Sequence, residues 1–493
     1  MRYSPLLLLA SFFTFSSCST ESTPVYQLNT SAEPNEAGTV SPSNSEAEEG
    51  ESIQITASAN VGWVFDRWQG DHAGMSNPAS ISMNSDKNIT ALFVRKDYPL
   101  TISTVGEGEV EEQIVSQPKQ TDYTYETVVE LIPIPSDGWK FIEWKGDLVG
   151  GESPVQITID GEKNVTAVFE PIAYLAKNGV TIMCPNANLG DIGIVNGVEY
   201  EVVSRERLWQ KVEENADLTK ICVSKIIRMS DLFKDNDFNQ AIGNWDVSSV
   251  TNMSNMFRNS TFNQPIGNWD VSSVTRMDWM FHGSQFDQPI GNWNVSSVTR
   301  MDWMFDGSQF DQPIGDWDVS SVVSMFDMFN NSQFNHPIGN WDVSNVENMV
   351  RVFSFSVFNQ PIGNWDVSSV TTMEAMFYDS NFNQPIENWD VGSVTNMYRM
   401  FFMSPFNHPI ENWDVSSVAD MDGMFSNSPF DQPIGNWNVS SVINMDYMFN
   451  SAVSFNQDIS KWCVLNIDSE PQGFSDGSPL DESNKPIWGT CPN

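Results

Sequence analysis

A tandem repeat of 24 residues dominates the sequence. Its clearest copy runs from Phe262 to Phe281 and reads FNQPIGNWDVSSVTRMDWMF. A fixed period of about 20–50 residues is the signature of a solenoid, in which each unit buries its apolar face against its neighbours. The repeat therefore predicts a stack of similar units. One tryptophan marks each unit: Trp245, Trp269, Trp293, Trp317, Trp341, Trp365, Trp389, Trp413, Trp437 and, 25 residues on, Trp462.

Each unit contains two kinds of apolar spacing. From Val271 to Phe281, apolar residues recur every third or fourth position, which predicts a helix or 3₁₀ segment that begins near Ser272. The segment that starts at Ile266 ends with a period of two, which predicts a short strand, and Pro265 marks the corner. One strand and one helical segment per unit is the anatomy of a leucine-rich repeat. We therefore predict an α/β repeat solenoid, like a leucine-rich repeat, over residues 221–462.

Irregular segments flank the repeats. Residues 172–220 are predicted to form an N-terminal cap, with a helix that starts after Ser204 and ends near Asn215, and residues 463–493 a C-terminal cap. The repeat unit, NGVTIMCP from Asn178 and WGTCP from Trp488 resemble the BspA-like leucine-rich repeat surface proteins of bacteria. That resemblance implies an extracellular, non-enzymatic scaffold, some of whose relatives act as adhesins.

A longer repeat precedes the cap. The motif that starts at Gly62, GWVFDRWQGD, returns as GWKFIEWKGD at Gly138, and residues 25–95 and 98–171 form two copies. Alternating apolar residues predict half-buried strands. These copies resemble the divergent internalin B-repeat family, which implies two small β-rich modules of the β-grasp type. Asp71 and Asp147 follow glycines and are interpreted as turn formers, so the modules are predicted to be spacers.

The N-terminus predicts export. Arg2 precedes a run of about ten apolar residues, which is typical of a signal peptide over residues 1–17 and too short to span a bilayer. Cys18 follows small residues and resembles the lipobox cysteine of bacterial lipoproteins, with residues 18–24 as a lipid-anchored tether. The alternative is ordinary cleavage that leaves a free thiol. The expected location is the outer membrane or cell surface, with membrane contact only through the lipid.

The strongly negative net charge of the chain argues against some classes of binding partner. The formal net charge is −40 and the pI is near 4.1, which argues against nucleic acid and against docking on anionic lipid through a basic patch. A hydrophobic content of 40% argues against disorder.

Four cysteines besides Cys18 lie at the two ends of the repeats. None has zinc-type spacing, so no metal ligation is expected. Two local disulfides are predicted, Cys184–Cys222 and Cys463–Cys491, because the other pairings would join opposite ends of the array.

Two repeated columns have competing interpretations. The tryptophan column could form a platform for sugars, but packing in the core is favoured. The acidic column after it could bind Ca²⁺. Because Asn294 and Asn438 occur in the same column, capping of the following turn is favoured over a metal. The acidic column comprises Asp246, Asp270, Asp318, Asp342, Asp366, Asp390 and Asp414.

The candidate binding site lies at the position before the second Met of each unit, which we call the slot. The residue type at this position differs freely from unit to unit. Trp279 and Trp303 occupy it in adjacent units, with Asp278 and Asp302 beside them and His282 nearby. This aromatic–acidic patch is predicted to stack a sugar or anchor a protein. The alternative is a local clasp between neighbouring units.

No catalytic constellation, phosphate loop or metal motif is recognisable, so neither enzymatic activity nor a cofactor is expected. We therefore expect a surface lipoprotein that presents its repeats to an extracellular protein or glycan. The alternative is a passive surface-layer or biofilm matrix protein that acts by self-association.

Overall fold

A computed structural model describes residues 22–115 and 122–492. The predicted signal peptide and Cys18 lie outside the described residues. The chain divides into two compact units: the described residues up to 136 with 140–170, and residues 137–139 with 171–493.

The first module is a sandwich of two small sheets. Its strands are β1 Val25–Glu33, β2 Gly38–Ser41, β3 Asn44–Glu48, β4 Ser52–Ala59, β5 Trp63–Gly70, β6 Ala79–Ser82 and β7 Lys87–Arg95. One sheet has the order β3-β1-β7-β5, and the other has the order β2-β4-β6. Leu28, Ile55 and Trp68 come from both sheets and share one buried core. The indole Nε1 of Trp68 donates to the carbonyl of Ser76 at 2.9 Å, so the large ring is both packed and hydrogen-bonded.

The second module repeats this arrangement. Its strands are β8 Asp97–Tyr98, β9 Leu100–Val105, β10 Gly108–Ile114, β11 Tyr123–Thr124, β12 Thr127–Pro135, β13 Trp139–Gly146, β14 Val155–Ile159 and β15 Lys163–Pro171. The sheets have the orders β13-β15-β9 and β10-β12-β14, with β8 and β11 as a short pair. The indole of Trp144 donates to the carbonyl of Glu152 at 2.9 Å, the counterpart of the Trp68 bond in the first module.

The predicted strands of both modules are confirmed, but the β-grasp expectation is wrong. In the described part of the modules the only helical segment is a three-residue 3₁₀ turn, Asn35–Ala37. In the first module a second sheet covers the buried face, where a β-grasp would place a helix. Asp71 and Asp147 lie in bends directly after β5 and β13, as the turn interpretation predicts. Each carboxylate also accepts a backbone N–H from the neighbouring strand, Asp71 from Asn88 and Asp147 from Asn164, both at 2.7 Å.

An irregular cap opens the second unit. The hydroxyl of Ser204 accepts the N–H of Arg207 at 3.1 Å, which confirms the predicted helix cap. Leu208 and Val212 of the helix are buried in the core of the repeats, so the cap covers apolar surface at this end. The elements are β16 Tyr174–Leu175, β17 Ile182–Met183, β18 Ile192–Val195, β19 Val198–Val202, α1 Arg205–Glu213 and β20 Ile221–Cys222.

The predicted α/β repeat solenoid is wrong. Residues 223–481 contain no helix and no strand longer than a single bridge; each coil is a succession of turns. Successive units are joined by isolated parallel bridges 24 residues apart, from Arg228↔Asn252 to Asp420↔Asn444. The units do stack, but without the alternating strand and helix of a leucine-rich repeat.

The hydrogen bonds explain the misinterpreted pattern. The N–H groups of Val274 and Met280 bond back three residues, to Val271 and Met277, so the apolar spacing of three reflects consecutive turns. Between these turns the backbone bonds to the next unit: the main-chain N–H of Trp279 donates to the main-chain carbonyl of Asp302 at 2.9 Å. An α-helix needs each N–H to bond to the carbonyl four residues earlier, whereas here alternate N–H groups bond to the next unit, so no helix forms.

Aromatic columns form the core of the array. Neighbouring marker tryptophans stack at 6.5 Å with nearly parallel rings, as Trp269 and Trp293 do. All ten are buried, and each indole N–H donates to a main-chain carbonyl, such as Trp269 to Ile242 at 3.2 Å. The interpretation of this column as core is therefore confirmed.

Both predicted disulfides are present, one at each end of the array. At the C-terminal end, the N–H groups of Tyr447, Phe449 and Ser451 donate to carbonyls of residues 472–476, which take the place of a further unit. A second 3₁₀ turn, Glu482–Asn484, follows. Among the described residues, none of the helices has the length and apolar character needed to cross a bilayer.

Candidate functional site

The variable slot of each unit has an unusual backbone. Trp279 has φ +60° and Trp303 has φ +55°, and their counterparts in other units are also left-handed. Such values are uncommon for bulky residues. Each coil fixes them with a hydrogen bond to the next unit, as between Trp303 N–H and Phe326 at 2.8 Å. The slot therefore accepts very different side chains, including Arg351, Ala375 and Gly423, without a change of backbone.

We call the surface around this slot the arginine edge. It is formed by the segments 252–259, 276–283, 300–307, 324–331, 348–355, 372–379, 396–403 and 420–427. Between residues 235 and 460 the chain has no lysine and five arginines, and all five lie in these segments. They are Arg258, Arg276, Arg300, Arg351 and Arg399. In a protein with a net charge of −40, this places all the cations of the full units on one side of the stack.

The aromatic residues of the predicted site form a continuous ladder on this edge. The rings of Trp279 and Trp303 stack with centroids 4.3 Å apart and 17° between planes. Phe326 follows with its ring centroid 4.4 Å from that of Trp303 and its plane tilted by 55°. Guanidinium groups close both ends: Arg258 lies 4.6 Å from Trp279, and Arg351 lies 5.1 Å from Phe326. We call these five residues the stacked ladder.

The two carboxylates of the predicted patch are buried. Asp278 accepts Arg276 Nε at 2.9 Å and the hydroxyl of Ser254 at 3.1 Å. Asp302 accepts Arg300 Nε at 3.0 Å, and hydrogen bonding to Asp302 is the main reason that the pKa of Arg300 is raised. The side chains of both arginines remain about half exposed. What reaches solvent is therefore aromatic and guanidinium surface rather than carboxylate.

His282 completes the set. Its ring meets Trp279 edge-on at 4.8 Å, and its Nδ1 lies 2.9 Å from a carboxylate oxygen of Asp306. The structure thus brings all five predicted residues together. The tryptophans of adjacent units also contact one another. The contact between neighbouring units that was the alternative interpretation is therefore present as well.

A second aromatic cluster lies further along the edge and was missed in the sequence. Tyr378 and Phe402 stack at 4.7 Å with 6° between planes, and Phe355 lies 5.0 Å from Tyr378. Arg399 covers Phe402 at 5.3 Å and Tyr398 at 4.8 Å. These aromatic residues occupy other variable positions around the slot, and the sequence alone does not show that those positions share a surface.

Buried polar atoms without partners concentrate on the same edge. Nine buried side-chain atoms in the described part of the chain lack a hydrogen bond, and eight belong to these segments. They include Arg399 Nε, Asp327 Oδ1 and Asn330 Oδ1. Burial of Asp327 raises its pKa to about 6, although Arg351 Nη2 lies 2.7 Å from its carboxylate. Unpaired buried polar atoms are uncommon in folded proteins, so their concentration sets this edge apart from the rest of the array.

The acidic column has a local role. Asp270 Oδ1 accepts both the N–H and the hydroxyl of Ser272, at 3.1 and 2.6 Å. Asn294 makes the same two bonds to Ser296, at 3.2 and 2.7 Å. The capping interpretation is therefore confirmed. The described residues contain no group of three or more His, Cys, Asp or Glu side chains arranged to hold a metal ion.

Together these features define a repeat protein with two β modules, a capped array and one aromatic, arginine-lined edge. Four overlapping matches to the family described as "Mycoplasma protein of unknown function, DUF285" cover residues 204–311, 281–384, 330–429 and 379–488. Because they span more than half of the chain, the protein belongs to this family.

The two β modules match a second family model. It is described as "Divergent InlB B-repeat domain" and covers residues 28–97 and 98–173. The two kinds of repeat domain support a surface-associated repeat protein. Comparison with curated proteins and with solved structures gives no match.

Proposed function

We propose that this chain is a non-enzymatic surface lipoprotein of the BspA-like kind, held at the outer membrane through Cys18. The two β modules serve as spacers, and the arginine edge binds an extracellular protein or glycan. The single observation that carries the binding role is the stacked ladder from Arg258 to Arg351.

Composition supports the edge as a binding surface. Tryptophan, phenylalanine, tyrosine and arginine are enriched at the centres of protein interfaces, and truncating them costs the most binding energy. The remainder of the array is rich in exposed carboxylates, such as Asp270 and Asp318, which repel acidic partners. The edge is therefore the surface on which an aromatic or guanidinium contact is available.

The binding role is tested with the full secreted chain in a screen against extracellular-matrix proteins and a glycan array. The Trp279→Ala/Trp303→Ala double variant is the test protein, and it is expected to fold because the same slot holds Ala375 at φ +50°. Tyr447→Ala, in the same slot at the far end of the array, is the matched control. The proposal predicts saturable binding that the double variant loses and the control keeps.

Two outcomes contradict the proposal. If the double variant binds as well as the wild type, the two tryptophans serve only to pack adjacent units against each other. An absence of any partner, with concentration-dependent assembly that the double variant retains, favours the matrix role. Membrane attachment is tested separately with Cys18→Ser, which should release the protein from the membrane fraction; unchanged retention of this variant contradicts the lipid anchor.

A further inference from the structure

A groove opens in the arginine edge beside Ala375. Its volume is about 190 Å³. Ala375 occupies the left-handed slot between Arg351 and Arg399, and all three residues have nearly the same φ, between +50° and +53°. The groove exists because a methyl group stands where both neighbouring units carry a long side chain. Its walls include Arg351, Phe355, Glu374, Tyr378, Tyr398 and Arg399.

One part of the groove wall is aromatic. Tyr378 is held by its stacking on Phe402 at 4.7 Å. Phe355 is 52% exposed, although it is a large apolar residue. Its ring is tilted by 58° relative to Tyr378 at 5.0 Å, so the two rings form a corner. Such a corner offers apolar aromatic surface to one face of a ring-shaped ligand.

The rest of the wall is polar and carries charges of both signs. Arg351 uses one nitrogen for Asp327 and keeps 44% of its side chain exposed. Arg399 Nε has no hydrogen-bond partner, and the nearest carboxylate oxygen, on Asp422, is 3.9 Å away. Glu374 provides an acceptor. Burial raises the pKa of Tyr398, and a tyrosine hydroxyl both donates and accepts hydrogen bonds.

We propose that the groove at Ala375 binds one uncharged pyranose residue of a glycan; this rests on, and deepens, the proposed binding function. A pyranose presents an apolar C–H face to an aromatic ring and hydroxyl groups that both donate and accept. Arginine donates hydrogen bonds, glutamate accepts them and tyrosine does both, so these side chains can pair with the hydroxyl groups of a sugar. The mixture of charges favours a neutral ligand over an anion or a cation.

The size of the groove agrees with this ligand. Clefts that enclose a drug-sized molecule are about 300–1,000 Å³, so a groove of about 190 Å³ holds a single ring rather than a folded peptide. It is also open along the edge, which allows the rest of a glycan to continue over neighbouring units.

The experiment titrates the full secreted chain with methyl glycosides of neutral hexoses and N-acetylhexosamines, followed by saturation-transfer NMR and calorimetry. Parallel titrations use a uronic acid and a lysine-containing peptide. Ala375→Arg fills the groove with the residue that both neighbouring units carry, so the fold is expected to persist. Ala375→Gly introduces the residue that Gly423 provides in the same slot; it leaves the groove open and is the matched control.

We expect saturable binding of at least one neutral glycoside, weakened at least about tenfold by Ala375→Arg and changed less than about twofold by Ala375→Gly. Three results overturn the inference: no neutral glycoside bound up to about 50 mM, equal binding by Ala375→Arg, or binding of the uronic acid or peptide alone. Unfolding curves of both variants check that the array is intact.

Each of the two proposals can be refuted while the other stands. If the groove is overturned while the Trp279→Ala/Trp303→Ala variant still loses partner capture, the binding function stands and only the ligand class is wrong. If Ala375→Arg abolishes glycoside binding while the tryptophan variant captures its partner normally, the groove stands and the stacked ladder is not the partner site.

Discussion

Replacing Asp327 with asparagine should make the array more stable at neutral pH, although the change removes an ion pair with Arg351. Asp327 is fully buried, and one of its carboxylate oxygens has no hydrogen bond. Burial raises its pKa from 3.8 to about 6; Arg351 opposes this rise, while Asp306 and Asp302 add to it. The raised value already includes the attraction of Arg351, so the net effect of ionisation on the folded state is unfavourable.

The magnitude follows from linkage. Between pH 4 and 6 the folded state keeps a proton that the unfolded chain has released, so stability falls as pH rises through this window. A shift of about two units corresponds to about 3 kcal/mol at neutral pH. The side-chain amide introduced by Asp327→Asn does not titrate. The variant should therefore match the wild type near pH 4 and exceed it by up to about 3 kcal/mol at pH 7.

The assay is urea unfolding, followed by tryptophan fluorescence at pH values from 4 to 7.5. Asp316→Asn, at an exposed carboxylate of the same coil, is the control and should show no such growing difference. A difference between the wild type and Asp327→Asn that stays constant across this range, or that grows towards acid pH, refutes the reasoning.

Other predictions concern packing, capping and the disulfide. Trp365→Ala, in the buried column, should cost about 3–5 kcal/mol in urea unfolding, whereas Trp279→Ala should cost about 1 kcal/mol because its ring is half-buried; equal costs would contradict the burial assigned to them. Asp366→Ala should lose about 1 kcal/mol at pH 7 and Asp366→Asn almost nothing. Hydrogen bonds from Ser368 lower the pKa of Asp366, so its advantage over alanine should fade only as pH falls below about 4; an advantage that persists in full at pH 2 would contradict this account. Removing the Cys463–Cys491 bond, which joins residues 28 apart, should cost about 3–4 kcal/mol and expose the C-terminal cap to proteases; unchanged resistance would show that packing alone holds it.

The sequence predicted the stacking of units, the helix N-cap at Ser204, both disulfides and the core column, and the structure confirms these. These depend on strong local signals: an invariant tryptophan, the N-cap at Ser204 and cysteines placed at the two ends. The predicted strand and helix of each unit were wrong, because an apolar spacing of three residues fits a helix and a series of turns equally well. The left-handed positions decide between them. Gly283, Gly307 and Asn331 share one such column, and glycine and asparagine at a fixed position of the repeat are a sequence signal for turns.

The candidate site was predicted in part. Comparing residues in one variable slot located Trp279 and Trp303, which are stacked in the structure. The burial of Asp278 and Asp302 could not be predicted, since it depends on how the backbone turns at the slot. The cluster around Tyr378 escaped because it is spread over several slots. Which slots share a surface becomes clear only once the coil is known.

The most direct test of the binding role is hydroxyl-radical footprinting of the full chain with and without a captured partner. The account predicts that Trp279, Trp303 and Phe326 lose reactivity when the partner binds, while Val453 and Ile443, which are exposed at the far end of the array, stay as reactive as before. Protection confined to residues outside the arginine edge, or no change at Trp279 and Trp303 under saturating partner, would contradict it.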